Sequence, residues 1–350
     1  MTATESMAKP RAGAIAPTSR AGEEFIPVID VGPFLTGEPG ALDRLAGEVA
    51  FALGSIGFFY IVNHGVPPVL VDRILAATKA FHDLPEGDKQ AIRVNRDQAG
   101  FVPMKTSMNT TSGVARNTAP NVVELFLAHR DRAPDEPAVL EGRRFQGLNQ
   151  WPAREPMPGF REIVNAYHDT MLALGRRLLP LYATALGMPS GYFFRYFRDP
   201  QSIVRMASYP VPETVEDNQF GAAPHGDLGF LTMLPEARVP GLEIRMPSGR
   251  WMPEPVVPGA FLVNAGETLR RLSNHRFLAT PHRVVASRGA DRYQVAFFFN
   301  PDYDATIAAL PSCVDADHPA RDEPTRFEDL AVHYIESTYS AIHKAPRAAE

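Results

Sequence analysis

Ala222-Ala-Pro-His-Gly-Asp-Leu-Gly229 is the stretch on which the reading of this chain turns. His225 and Asp227 are two residues apart, so on an extended backbone their side chains point to the same face. An H-x-D pair recurs often by chance, and its weight depends on what else the chain brings to that face. His282 is the third candidate, in Ala279-Thr-Pro-His-Arg-Val-Val285. Two imidazoles and one carboxylate on a triangular face leave adjacent coordination positions open, a donor set that suits non-haem Fe(II) activating oxygen. The open positions matter because a co-substrate and dioxygen must both reach the metal.

Ten residues past His282 the chain reads Asp291-Arg-Tyr-Gln-Val-Ala-Phe-Phe-Phe-Asn300. On a strand, Arg292, Gln294 and Ala296 share one face. A guanidinium facing a barrel interior is costly unless it meets an anion, and a carboxylate held bidentately fits it best. Tyr209, at the end of the strand-like run Ile203–Tyr209, offers a phenol hydrogen bond to the same anion. Triad, arginine and tyrosine together describe a pocket for a keto acid that chelates iron at one end and is gripped at the other. The remaining histidines read as structural: His64, His82 and His168 as core or turn hydrogen-bonders, His275 as a surface loop residue. Phe297–Phe299 reads as sheet core.

Around these residues the texture is β-rich. Between Ser202 and Pro301 short apolar runs (Ile203–Tyr209, Leu228–Leu234, Gly241–Arg245, Phe261–Asn264, His282–Ala286, Tyr293–Asn300) are punctuated by Pro and Gly, the signature of an antiparallel sandwich or barrel. Helical spacing appears over 41–54, 67–84 and 158–186, the last closed by Gly187 at the C′ position, and again over 326–341. Ile26–Asp30, Gly57–Gly65 and Val122–His129 read as strands. The expected fold is mainly β with flanking helices. Its parts are a disordered tail over 1–24, a helix-and-strand region over 25–190, a metal-binding core over 200–305 and a helical segment over 306–350. The polar stretch 96–120 shows no period and reads as a lid, with Lys105, Asn109, Thr110 and Arg116 suited to a polar or anionic substrate.

Composition excludes other classes. With 350 residues, 45% of them apolar, the chain can build a substantial core. The 33 prolines, roughly twice the usual share of about 5%, call for many turns and short elements. A net charge of −5 with both signs intermixed argues against nucleic acid or an anionic membrane surface as the main partner. Apolar runs such as Phe58–Val62 are far shorter than a membrane span. A single cysteine, Cys313, rules out intrachain disulfides and cysteine-based zinc clusters, and points to a reducing, cytoplasmic setting.

From about Ile26 to Ala341 the sequence resembles the isopenicillin N synthase-like family of Fe(II)- and 2-oxoglutarate-dependent oxygenases. The likeness lies in Gly57-Phe-Phe-Tyr-Ile-Val-Asn-His-Gly-Val66, Pro224-His-Gly-Asp227, Val239-Pro-Gly-Leu242, Pro258-Gly-Ala-Phe-Leu-Val-Asn264 and Thr280-Pro-His-Arg-Val284. It implies a double-stranded β-helix (jelly roll) core with an α/β N-terminal region. His225, Asp227 and His282 would then hold Fe(II), and Arg292 with Tyr209 would hold the C5 carboxylate of 2-oxoglutarate. The implied reaction consumes O2 and 2-oxoglutarate, releases succinate and CO2, and oxidises a small molecule, with hydroxylation as the expected outcome. Two departures stand out. The family usually carries Arg-x-Ser where this chain has Arg292-Tyr-Gln294, so Gln294 either replaces the serine contact, admits a different or smaller keto acid, or turns away. The family's usual threonine between the first two ligands is Gly226, on the opposite face. An alternative within the family is an Fe(II)/O2 oxidase without 2-oxoglutarate, in which Arg292 and Tyr209 bind the substrate's own carboxylate. A zinc hydrolase ranks below both, for want of a general base beside the triad.

Overall fold

Alternation along the strands decides how this chain layers. The computed structural model describes residues 24–108, 114, 119–212, 218–287 and 289–338. The strands of its two main sheets are β1 (Val28–Asp30), β2 (Phe58–Val62), β3 (Gly100–Val102), β4 (Glu124–His129), β5 (Ser202–Tyr209), β6 (Phe220–His225), β7 (Leu231–Pro235), β8 (Leu242–Arg245), β9 (Trp251–Pro253), β10 (Phe261–Ala265), β11 (His282–Val285) and β12 (Arg292–Phe299); Thr306–Ile307 and Thr325–Arg326 pair as a further two-stranded sheet within the stretch 306–350 expected to be helical. The larger sheet runs β1-β2-β10-β7-β12-β5-β4-β3 and the smaller β6-β11-β8-β9. Apart from the parallel β1–β2 pair, these neighbours run antiparallel.

One face of the larger sheet carries the helices. Val204 and Met206 of β5 and Val295, Phe297 and Phe299 of β12 pack in one core with the helices Ala41–Ser55, Pro68–His82 and Phe160–Ala185. The intervening residues turn inward, where Ala207 and Tyr209 meet Ala222, Leu242, Ile244 and Val284 of the smaller sheet. The two sheets form a jelly roll, and strands from the N-terminal region extend its larger sheet. Phe298 departs from the expected all-core reading of Phe297–Phe299: it points inward and lines the cavity between the sheets.

The long helix ends as its sequence predicts. Gly187 has φ +70° at the C′ position, and the Met188 N–H reaches back to Ala183 O, so the last turn's carbonyls are satisfied. Midway, Gly175 lets Phe299 press against the helix: a Cβ there would lie 2.9 Å from the Phe299 ring. Among the elements with no clear sequence signal are β6, β9 and the short helix Glu267–Leu272. The 96–120 stretch is not wholly irregular either, since β3 occupies Gly100–Val102. Residues 1–23 of the expected tail over 1–24, and 339–341, the expected end of the last helix, lie outside the described residues; Glu24 is held by the Ser248 N–H and hydroxyl. No helix among the described residues is long and apolar enough to cross a membrane.

Candidate metal centre

Strand pairing assembles the triad. His225 at the end of β6 and His282 at the start of β11 are direct antiparallel partners, and their ring centroids lie 4.4 Å apart. Asp227 follows two residues later, and its Oδ1 lies 3.9 Å from His225 Nε2 and 3.7 Å from His282 Nε2. One ligand atom from each residue falls within 4.8 Å of the others. All three side chains are at least largely buried.

Every other polar atom of the three is engaged. His225 Nδ1 donates to Ala223 O at 2.8 Å and His282 Nδ1 to Thr280 O at 3.2 Å, which leaves both Nε2 lone pairs facing Asp227. Asp227 Oδ2 accepts from Thr232 Oγ1 at 2.5 Å and Asn264 Nδ2 at 2.8 Å. Thr232 and Asn264 are themselves partners across β7 and β10, so the larger sheet orients a ligand presented by the smaller one. Phe58 packs its ring edge-on to His282, with centroids 5.4 Å apart.

The charge states agree. Burial, reinforced by the neighbouring His282, brings the His225 imidazole down to about 4, so it is neutral at physiological pH. Burial works against the Asp227 carboxylate, but the two imidazoles and the Asn264 and Thr232 donors outweigh it and hold Asp227 below the usual range. Three ligand atoms converge on one point, and two imidazoles plus one carboxylate fit Fe(II) with positions to spare.

The triad lines an interior cavity that also holds Arg292, Tyr209, Gln294 and Arg205. Arg292 and Tyr209 are direct partners on β12 and β5, and the guanidinium lies 5.3 Å from the Tyr209 ring centroid, a cation–π arrangement. Arg292 is 1% exposed; its Nε donates to Val239 O at 3.1 Å and its Nη1 is buried without a partner. Arg205 Nη1 donates to Tyr209 Oη at 3.2 Å, which leaves the phenol hydrogen to point elsewhere.

Two family models match the chain. One, described as the N-terminal part of a non-haem dioxygenase in morphine synthesis, covers residues 26–154; the other, the 2OG-Fe(II) oxygenase superfamily, covers residues 198–301. The sequence is 30% identical to the 2-oxoglutarate-Fe(II) type oxidoreductase hxnY of Emericella nidulans, over 89% of this chain and 90% of that protein. This chain is an Fe(II)/2-oxoglutarate-dependent oxygenase. It is also 32% identical to the 2-oxoglutarate-dependent dioxygenase citB of Monascus ruber, over 84% of this chain and 90% of that protein. Among solved structures, a full-length Neurospora crassa protein in complex with alpha-KG matches with a TM-score of 0.76 at 25% identity, covering 88% of this chain and 95% of the other. A rice dioxygenase for auxin oxidation matches with a TM-score of 0.68 at 28% identity, covering 89% and 96%.

The oxygenase brings together His225, Asp227, His282, Arg292, Tyr209 and Gln294, the six residues that its sequence placed near iron or keto acid. Lys105 is different. It is exposed, with φ +61°, and is not among the residues lining the cavity. Asn109, Thr110 and Arg116 lie outside the described residues. His64, His82 and His168 are buried hydrogen-bonders, bonded respectively to Gly259 O, to Glu124 with Met206 O, and to Ser202 Oγ. His275 is not a free surface residue: Nε2 meets Asp322 Oδ2 at 2.5 Å and Nδ1 accepts from Arg270 at 3.1 Å, clamping the Glu267–Leu272 helix to a later loop.

Sequence reasoning passed over Arg205, Asn264 and Thr232. Arg205 was legible, since it shares strand parity with Ile203 and Tyr209 on β5. Asn264 stood in a quoted motif without a role. The last helix, Phe327–Thr338, lends Tyr334 and Ile335 to the cavity, and nothing local in its sequence announces that contact.

Proposed function

We propose that His225, Asp227 and His282 hold Fe(II), that Arg292 and Tyr209 hold the far carboxylate of 2-oxoglutarate, and that Arg205 receives an anionic group of a small organic substrate that is then hydroxylated. With 2-oxoglutarate and O2, bound Fe(II) supplies the oxidising power, and the co-substrate leaves as succinate and CO2. The chain's own share is placement and exclusion of water. Arg292 anchors the co-substrate, its buried Nη1 left without a partner for the incoming anion. Arg205 orders the Tyr209 phenol so that its hydrogen is free to donate. Leu127, Ile203 and Phe298 give the substrate's body an apolar wall.

The observation that carries the anionic substrate is the charge of the cavity. Among the described lining residues, Arg205 and Arg292 face a single carboxylate, Asp227. A divalent ion and Arg292 against Asp227 leave two positive charges, which dianionic 2-oxoglutarate removes. Arg205 lines the same cavity beside them, and its field reaches both His225 and Arg292, so an anionic group on the substrate is favoured on that side.

Succinate release tests this reading. The purified protein with Fe(II), ascorbate, O2 and 2-oxoglutarate is offered a panel of small carboxylic acids and their methyl esters. Acids should stimulate succinate formation over their esters, and Arg205→Gln should lower that preference about tenfold, the loss of a charge-assisted hydrogen bond. Equal turnover of acids and esters, or a preference unchanged in Arg205→Gln, contradicts the assignment. An oxidase that dispenses with 2-oxoglutarate finds less support, since the relatives above are 2-oxoglutarate-dependent proteins and a solved neighbour holds alpha-KG.

A further inference from the structure

Gln294 stands beside Arg292 on the cavity face of β12, 2% exposed, and its amide has a fixed orientation. Its Nε2 donates to Pro235 O at 2.8 Å, and a carbonyl can accept only from the NH2 side of the amide. Gln294 Oε1 is therefore the atom left over, buried and without a partner, as is Arg292 Nη1. Two unsatisfied atoms on neighbouring side chains of one cavity wall mark where a ligand supplies the missing partners. One is a donor and the other an acceptor.

A carboxylate brings acceptors only. It satisfies Arg292 Nη1 and sets lone pairs against Gln294 Oε1. Rotating the amide does not help, because Oε1 would then oppose Pro235 O. Either way one hydrogen bond is missing in a buried site, where a missing bond weakens binding. A primary carboxamide, with an oxygen that accepts and an NH2 that donates, matches both atoms.

We propose that Gln294 turns the anchoring end of the co-substrate pocket into a donor–acceptor pair, which weakens 2-oxoglutarate binding and admits 2-oxo acids whose far end is a neutral carboxamide. This rests on Arg292 as the anchor of the co-substrate's far end.

The test is calorimetric titration, without oxygen, of the Fe(II)-loaded protein with 2-oxoglutarate and with its 5-carboxamide. In Gln294→Ser the Kd for 2-oxoglutarate falls about tenfold and the Kd for the carboxamide rises about as much, the scale of one buried hydrogen bond. Gln294→Met keeps the volume and removes the acceptor; it binds 2-oxoglutarate more tightly than the wild type and loses the carboxamide. That variant decides the matter if Gln294→Ser does not fold. A 2-oxoglutarate Kd unchanged or raised in both variants, or a carboxamide-to-2-oxoglutarate Kd ratio that neither changes, overturns the proposal. Arg292→Leu separates the two levels. If it binds both ligands as the wild type does, the anchor assignment itself fails; if it loses both while the Gln294 variants behave as wild type, only the role of Gln294 fails.

Discussion

The two ends of the cavity are built on opposite rules. At the triad, each atom not turned to the metal already has a partner: Nδ1 of both histidines bonds a carbonyl, and Asp227 Oδ2 bonds Thr232 and Asn264. At the Arg292 end, a buried guanidinium nitrogen and a buried amide oxygen have none. The first pattern suits side chains that would hold a metal, since their outer bonds fix them beforehand. The second stores unmet hydrogen-bonding capacity, so affinity there depends on what the ligand brings.

Variants that break the first rule should have the largest effects. Asp227→Ala removes the only carboxylate among the three ligands and should abolish Fe(II) binding and succinate formation while far-UV circular dichroism stays native. Stoichiometric iron in that variant would show the triad to be misassigned. Asn264→Ala keeps all three ligands but frees Asp227 Oδ2 from one donor. Iron affinity should fall about 10- to 100-fold, the range for partners that orient a ligand, measured by competition with a chelator.

The smallest effect lies behind the Arg292 end. Burial, opposed by Arg292 and reinforced by Glu236, pushes Glu254 up to about 7. The folded protein thus holds a proton that the unfolded chain releases nearer pH 4.5. Its contribution to stability is full below that pH and is lost as pH rises through about 7. Glu254→Gln should therefore melt close to wild type at pH 4.5 and a few degrees above it at pH 8. A difference that grows toward acid pH would reverse the sign of this account.

Much of this was legible in the chain because local rules and tertiary demands agree. His225 and His282 could be paired from sequence because each lies in a short Pro-bounded run, and the β6–β11 ladder makes them partners. Gly187 closed the long helix as its position requires. What stayed hidden depends on contacts between distant segments. Asn264 and Thr232 matter only because Asp227 is lowered between them, and Tyr334 and Ile335 reach the cavity only when the last helix docks. Lys105 misled for the converse reason: a basic residue in a polar stretch carries no sign of which way the backbone will turn it. Gln294 was visible as a departure, but its orientation is set by Pro235 O, a contact that no local pattern shows.

The most direct test is a crystal structure of the protein grown without oxygen in Fe(II) and 2-oxoglutarate, with iron located by anomalous scattering. The account predicts iron on His225 Nε2, Asp227 Oδ1 and His282 Nε2, with the far carboxylate of 2-oxoglutarate on Arg292 Nη1. Iron bound elsewhere, or that carboxylate seated on Arg205 instead, would contradict it.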